Sequence, residues 1–143
     1  MNKPTILIAE DDFLIRESTL RPLLTSHFEI VAEAADGLEA VAAAEEHRPE
    51  IVLLDVSLPV MRGFDAAQKI LAQQPGCKLL FVSNYAEREY VEYARTIGAS
   101  GYVLKTHAMS ELIDAIRTAL TGQFYWPVFY TPRDCNDPVT EIR

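Results

Sequence analysis

The amino-acid sequence predicts an α/β protein: a doubly wound sheet of five parallel strands with helices on both faces. Short apolar runs alternate with helical segments along the chain, which is typical of parallel sheets joined by right-handed crossovers. The run Ile51–Leu54 is entirely aliphatic, as expected for a strand buried on both faces, and Asp55 follows it directly. Because ligands of such sheets bind at the carboxyl ends of strands, Asp55 lies where chemistry is expected.

The first half of the chain supports this alternation. Thr5–Ala9 is an apolar, β-branched run that predicts a strand, and 13–25 places apolar side chains on one face of a helix. Apolar and polar residues alternate over 28–34, which predicts a less buried edge strand. An alanine-rich helix is expected over 38–47, and Pro49 stops it.

The second half repeats the pattern, with glycine and proline marking the ends of the helices. In order, the predicted elements are a helix opened by Gly63 and closed by Pro75 and Gly76, a strand over 78–82, a helix over 86–97 ended by Gly98, a strand over Gly101–Leu104, and a helix from Met109 to Leu120 ended by Gly122. Five strands therefore alternate with five helices.

Composition narrows the possible functions. A chain of 143 residues is most simply one domain with a short tail, and a formal net charge of −8 argues against a broad nucleic-acid or anionic-membrane surface. Cys77 and Cys135 lack metal-ligand neighbours, so we expect free thiols of a cytosolic protein. We expect no signal peptide and no membrane span.

Polar side chains follow the strands that the sequence predicts. The first strand is followed by Glu10 and Asp11, the third by Asp55, the fourth ends in Ser83 and the fifth runs into Lys105. Clustered carboxylates repel one another, and Mg²⁺, which prefers oxygen ligands, relieves that repulsion. An aspartate beside such an ion can attack phosphorus, while a lysine and a hydroxyl stabilise the transferred group.

Each of these residues also has an ordinary structural interpretation. An acidic cluster can be a solvated loop, Lys105 a surface lysine, and Ser83 the N-cap of the next helix. A dinucleotide-binding fold would need a glycine-rich turn after the first strand, but the acidic turn 10–13 would repel a pyrophosphate. We prefer the phosphoryl-acceptor interpretation because the polar residues occur together, in order, at several strand ends.

At these residues the sequence resembles the receiver domain of two-component response regulators, over 5–122 of the chain. Residues 6–12 (ILIAEDD) resemble the first strand and acidic pair of that family, and 53–63 (LLDVSLPVMRG) resemble its phosphoacceptor segment. Residues 81–83 resemble the fourth strand with its switch hydroxyl, and 98–105 (GASGYVLK) resemble the segment with the switch aromatic and the lysine. The resemblance implies a flavodoxin-like fold with strand order 2-1-3-4-5.

The resemblance also implies the roles of the site residues. Asp55 falls on the phosphoacceptor, and Asp11 and Asp55 would bind Mg²⁺ directly together with the backbone carbonyl of Ser57, while Glu10 would act through water. Lys105 would contact the phosphoryl group. A sensor histidine kinase would donate that group, and small phosphodonors are a second source. Beyond self-phosphorylation and self-dephosphorylation, no enzyme activity is expected.

A conformational switch is expected to follow phosphorylation. An aspartyl phosphate would attract Ser83, and Tyr102 would follow into the space that Ser83 leaves, which would remodel the surface of the fourth helix, fifth strand and fifth helix. Three tyrosines on or near the fourth helix, Tyr85, Tyr90 and Tyr93, suggest a homodimer through that surface. The alternatives are a Tyr102 that never moves and tyrosines that only pack on the sheet.

Two positions depart from the pattern of the family. Asn84 follows the switch hydroxyl where a small residue is frequent, and it would narrow access to Asp55. Thr106 follows Lys105 where a proline in a cis peptide is frequent. Because a cis bond before threonine costs about 3–4 kcal/mol, the isomer at that position is left open.

The last segment differs in character from the rest. We expect a receiver domain over 1–122 and an aromatic, proline-rich tail or linker over 123–143. Residues 122–127 are similar to the linker of NarL/LuxR-type regulators, which continue into a helix-turn-helix domain, and no such domain follows here. We therefore expect the N-terminal part of a cytoplasmic transcriptional regulator, or a stand-alone receiver that signals through protein contacts. No nucleic-acid contact by this chain itself is expected.

Two rival classes are less consistent with the residues. A haloacid-dehalogenase-type enzyme also uses an aspartate at a strand end, but it needs a second aspartate two residues later, where Ser57 stands. A degenerate receiver that signals without phosphate would not need the full set of polar residues at the strand ends.

Overall fold

The structure is a computed structural model, and it describes residues 3–130. The sheet contains β1 (Thr5–Ala9), β2 (Glu29–Ala34), β3 (Ile51–Leu54), β4 (Lys78–Ser83) and β5 (Gly101–Leu104). The four strand pairings in this described part of the chain are all parallel, and the order β2-β1-β3-β4-β5 confirms the predicted fold. Cys135 lies outside the described residues.

Within residues 3–130, five helices connect and follow the strands. They are α1 over 13–25, α2 (Gly37–His47), α3 (Gly63–Gln73), α4 (Arg88–Thr96) and α5 (Ala108–Leu120), the last preceded by a 3-10 turn at Lys105–His107. Among the helices of residues 3–130, none combines the length and the apolar character that crossing a bilayer requires.

Two apolar clusters bury the two faces of the sheet. Because side chains of a strand alternate between faces, Val52 and Leu54 of β3 belong to one cluster and Ile51 and Leu53 to the other. The first cluster is packed against α2, α3 and α4, and the second against α1 and α5. β3 lies between β1 and β4 and is fully buried, which places the residue after it, Asp55, at the middle of the sheet edge.

Three local details differ from the sequence pattern. Phe28 ends the turn after α1 rather than beginning β2, because its backbone N–H donates to the carbonyl of Leu24. The middle of α1 is π-helical over Arg16–Leu20, a wide turn that accommodates Pro22, which has no backbone N–H to donate. α4 begins at Arg88 instead of residue 86.

Glycines end α4 and α5, as predicted. Gly98 has a φ of 102° and Gly122 a φ of 91°. After α4, the backbone N–H groups of Gly98 and Ala99 donate to the carbonyls of Arg95 and Ala94, which is a Schellman motif. A residue without Cβ adopts this left-handed conformation at little cost.

Candidate functional site

The carboxyl ends of β1, β3 and β5 place one lysine between two buried carboxylates. Lys105 Nζ lies 2.8 Å from Asp55 Oδ2 and 2.8 Å from Glu10 Oε1. The side chain of Lys105 is 13% exposed, that of Asp55 5% and that of Glu10 2%. These contacts are therefore partly shielded from water. A charge-assisted hydrogen bond is stronger in such a shielded place than at the surface.

A third carboxylate, that of Asp11, lies near the two that contact this lysine. One carboxylate oxygen from each of Glu10, Asp11 and Asp55 lies within 4.8 Å of the others, and Asp11 is the exposed member. Burial raises the pKa of Glu10 above its ordinary value, although hydrogen bonds from Lys105 and from the backbone N–H of Asp12 oppose the rise. Burial lowers the pKa of Lys105, but its contacts with the two carboxylates outweigh this effect and leave that pKa raised.

This cluster has the chemistry of a magnesium site. Its potential ligands are carboxylate oxygens, the donors that hard divalent cations select. Glu10 and Asp55 share the ammonium group of Lys105 and Asp11 adds a third carboxylate, so the cluster has an excess of negative charge that a divalent cation can neutralise. The residues present thus fit Mg²⁺, with Asp11 open to solvent where the ion would enter.

The backbone around Asp55 holds its side chain in place. Its N–H donates to the carbonyl of Ala9 at 3.1 Å, which continues the pairing of β3 with β1 beyond the last strand residue. The N–H of Ser57 donates to Asp55 Oδ1 at 3.1 Å, while Oδ2 contacts Lys105. Both carboxylate oxygens therefore have a donor, and the orientation of the group is determined by the chain that follows it.

The loop between Asp55 and α3 depends on a close approach of the backbone. A Cβ on Gly63 would lie 2.1 Å from the carbonyl oxygen of Asp55, so only glycine fits at the start of α3. Within the loop, the N–H of Met61 donates to the carbonyl of Pro59 at 2.7 Å around Val60, whose φ is 69°. This is a strained three-residue turn, and a β-branched residue rarely adopts it.

Sequence reasoning did not assign a role to Asp12. Its side chain is the N-cap of α1 and accepts hydrogen bonds from the N–H groups of Leu14 and Ile15, at 3.0 and 3.2 Å. Because its own N–H donates to Glu10 Oε2 at 3.1 Å, the cap also orients the buried carboxylate. An aspartate directly before an apolar helical run is a helix-start signal, and that signal could have identified it.

Ser83 and Tyr102 meet at the loop between β4 and α4. Both are fully buried. Ser83 Oγ accepts from the N–H of Tyr85 at 3.0 Å, and the Tyr102 hydroxyl donates to the carbonyl of Tyr85 at 2.7 Å. Burial raises the pKa of Tyr102 to about 12. Ser83 therefore does not cap α4, whose N-cap residue is Glu87, and Tyr102 already points into the protein.

The three tyrosines near α4 are partly packed and partly exposed. Tyr85 stacks on Tyr90 with 4.4 Å between ring centroids, and Tyr93 makes an edge contact with Phe64 at 4.9 Å. Tyr85 and Tyr93 nevertheless remain exposed to solvent. Beside the Asp55 loop, a cavity of about 270 Å³ is lined by Val56, Ser57, Leu58, Arg62, Tyr85 and Tyr90. Asn84 is exposed, and the Lys105–Thr106 peptide is trans.

The fold and the charged cluster at the strand ends define a receiver domain. Residues 6–117 match the response regulator receiver domain family, and the chain belongs to that family.

Relatives and solved structures agree with this assignment. The chain is 40% identical over 116 residues to the transcriptional regulatory protein PdtaR of Mycobacterium tuberculosis, covering 81% of this chain and 56% of the relative. It is 35% identical over 138 residues to the oxygen regulatory protein NreC of Staphylococcus epidermidis, covering 95% of this chain and 63% of the relative. The chain thus spans somewhat over half the length of these relatives.

A similar solved structure is that of a two-component response regulator of the LuxR family from Aurantimonas sp. Its TM-score is 0.82 at 31% identity, with 87% of this chain and 89% of that chain covered. The receiver domain of the putative response regulator NarL from Mycobacterium tuberculosis has a TM-score of 0.79 at 29% identity, with 86% and 100% covered.

Proposed function

We propose that this chain is a phosphorylation-controlled receiver in which Asp55 accepts a phosphoryl group from a sensor histidine kinase. One observation carries the proposal: the carboxylate of Asp55 lies at the end of the central strand, bonded to Lys105 and grouped with Glu10 and Asp11. A solvated acidic loop would not need a buried lysine between its carboxylates.

The proposed reaction is an in-line displacement at phosphorus. An oxygen of Asp55 attacks the phosphorus of a phosphohistidine, the new O–P bond forms, and the P–N bond breaks, with the electron pair leaving on the imidazole nitrogen. Lys105, already 2.8 Å from Asp55 Oδ2, remains beside the phosphoryl oxygens as their positive partner. Ser83 supplies a hydroxyl to the same group.

We assign the magnesium ligands to the acidic cluster. Asp11, Asp55 and the backbone carbonyl of Ser57 would hold the ion directly, and Glu10 would hold it through water. When bound, Mg²⁺ supplies charge neutralisation for the phosphoryl oxygens. Asp12 has no direct contact with the ion in this proposal. Its backbone N–H donates to Glu10 and supports the orientation of that carboxylate.

The proposed output is control of transcription. Relatives that match the chain bear the names of transcriptional regulatory proteins, and the chain spans somewhat over half their length. On this basis residues 1–122 form the receiver and 123–143 begin the linker to a DNA-binding domain of a cytoplasmic regulator. The alternative is a stand-alone receiver that acts through protein contacts and catalyses no reaction besides its own phosphorylation and dephosphorylation.

Intact mass spectrometry tests the phosphoacceptor. The protein is incubated with Mg²⁺ and acetyl phosphate, and we expect one phosphate adduct on the wild type and none on Asp55→Asn. Asp65→Asn is the matched control, because Asp65 is an exposed aspartate on α3, and it should be phosphorylated like the wild type. A wild type without adduct, or an undiminished adduct on Asp55→Asn, would contradict the proposal.

A further inference from the structure

A short aromatic segment crosses the outer edge of β5 directly after α5. This segment, residues 123–130, is called the strap. Tyr125 forms a parallel bridge with Gly101. The N–H of Tyr125 donates to the carbonyl of Ser100 at 3.0 Å, and the N–H of Tyr102 donates to the carbonyl of Tyr125 at 2.9 Å. The strap thus satisfies backbone groups that an edge strand otherwise leaves open for another chain.

Gly101 makes this pairing possible. A Cβ at that position would lie 2.8 Å from the carbonyl oxygen of Tyr125 and 3.3 Å from its Cβ. A larger residue in β5 would therefore push the strap away from the strand, whereas glycine allows the two backbones to pair.

Side chains anchor the strap on both neighbouring helices. The hydroxyl of Tyr125 donates to Glu111 of α5 at 3.1 Å. Tyr130 is 5% exposed, and its hydroxyl donates to Glu92 of α4 and accepts from Arg95 Nε at 3.0 Å. The strap consequently spans α4, β5 and α5, which is the surface where the sequence predicts a homodimer.

Tyr102 connects the strap to the phosphorylation site. Its backbone bonds to Tyr125 of the strap, and its hydroxyl bonds to the carbonyl of Tyr85, whose N–H donates to Ser83. Trp126 and Tyr130 of the strap pack against the same apolar cluster that contains the inward ring of Tyr102. The strap is therefore docked in a state in which Tyr102 points inward.

We infer that the strap is the resident occupant of the α4–β5–α5 surface, and that its docking and the phosphorylation of Asp55 stabilise each other through Tyr102. The coupling rests on the proposed function. An aspartyl phosphate attracts Ser83 and favours the inward Tyr102, and the docked strap favours the same orientation, so each raises the population of the other. A second copy of the chain can bind the α4–β5–α5 surface only after the strap has undocked from it.

Trp126 is the only tryptophan in the sequence, so its fluorescence reports on the strap alone. Acrylamide quenching is compared between the wild type and Tyr130→Ala, which removes the anchor on α4. We expect a quenching constant about twofold larger in the variant, because local opening exposes the indole. Phe129→Ala is the matched control, since Phe129 is an exposed aromatic of the same segment, and it should resemble the wild type.

Gly101→Val tests the same docking from the strand side and should also expose Trp126. If that variant fails to fold, the comparison of Tyr130→Ala with Phe129→Ala decides the question. Equal quenching in the wild type and Tyr130→Ala would overturn the docking.

The coupling is tested by repeating the quenching after treatment with Mg²⁺ and acetyl phosphate, with the phosphate counted by intact mass. We expect the quenching constant of the phosphorylated wild type to fall to about half, and that of Asp55→Asn to stay unchanged. Phosphorylated protein with unchanged or greater quenching overturns the coupling. A wild type without a phosphate adduct refutes both the assignment of Asp55 as phosphoacceptor and the coupling. The quenching of the unphosphorylated strap variants then tests the docking of the strap separately.

Discussion

Replacing Lys105 with methionine tests the electrostatic core of the site. The ammonium of Lys105 is the cation that contacts both Glu10 and Asp55, at 2.8 Å each. Methionine has a similar length and no charge, so the variant leaves three carboxylates grouped without that cation. In a metal-free buffer, mutual repulsion and burial then act against the folded state.

The expected loss in the free energy of unfolding follows from the two contacts of Lys105. At an effective dielectric constant of about 20, each 2.8 Å pair has a gross attraction of about 6 kcal/mol. Desolvation of the lysine offsets much of this attraction, and breaking a buried pair costs about 3–5 kcal/mol in practice. Because the side chain of Lys105 keeps 13% exposure, we expect the lower end, a loss of about 3 kcal/mol in the free energy of unfolding.

Urea unfolding measures this loss, once in EDTA and once with saturating Mg²⁺. Mg²⁺ supplies the missing positive charge, so the difference between variant and wild type should shrink when it is present. Lys69→Met is the control, because Lys69 is an exposed lysine of α3, and its effect should stay within about 0.5 kcal/mol.

Two results would refute the reasoning. A loss below about 1 kcal/mol in EDTA would mean that the contacts of Lys105 are no stronger than surface ion pairs. A loss that Mg²⁺ leaves unchanged would mean that the ion does not replace the charge of Lys105 among these carboxylates.

Three further predictions concern the loop after β3 and the buried tyrosine. Val60→Gly should raise the free energy of unfolding by about 1 kcal/mol, because glycine relieves the positive φ of 69° at an exposed position; urea unfolding that shows no gain would contradict this. Gly63→Ala should lower the free energy of unfolding by about 3 kcal/mol and slow formation of the phosphate adduct, because its Cβ would lie 2.1 Å from the carbonyl oxygen of Asp55. A variant that is as stable as the wild type and forms the adduct as fast would be inconsistent with that contact. Tyr102→Phe should remove part of the loss in the free energy of unfolding that the wild type shows at alkaline pH. Burial raises the pKa of Tyr102 from an ordinary 10.0 to about 12 in the folded protein, so the free energy of unfolding of the wild type falls by roughly 3 kcal/mol at most as the pH rises from 10 to 12. Unfolding at pH 9 and pH 11.5 measures this difference, and identical slopes in both proteins would argue against it.

The order and type of the elements followed from local patterns. β1, β3 and β5 have the predicted bounds because their apolar runs are flanked by polar or turn residues. Boundaries shifted where a long-range or turn hydrogen bond competed with the pattern. Phe28 has the residue type of a strand, but its N–H is already used by the carbonyl of Leu24 at the end of α1.

The candidate site was only partly visible in the sequence. Glu10, Asp55 and Lys105 stand out because each directly follows a predicted strand, and Asp11 is one residue further on. Parallel strands bring those ends to one edge of the sheet. The strain at Val60 was not visible, because a β-branched residue gives no local signal for a positive φ. Surrounding contacts impose that conformation, and they exist only after folding.

The sequence by itself determined the parallel sheet, its alternation with helices and the kinds of side chain at its active edge, because these depend on periodicity and on residues next to each strand. Tertiary structure alone decided that Lys105 bridges two particular carboxylates, that Tyr102 points inward, and that the strap lies against β5. Those arrangements join residues from 17 to 95 positions apart in the chain, and their geometry depends on packing that no local pattern encodes.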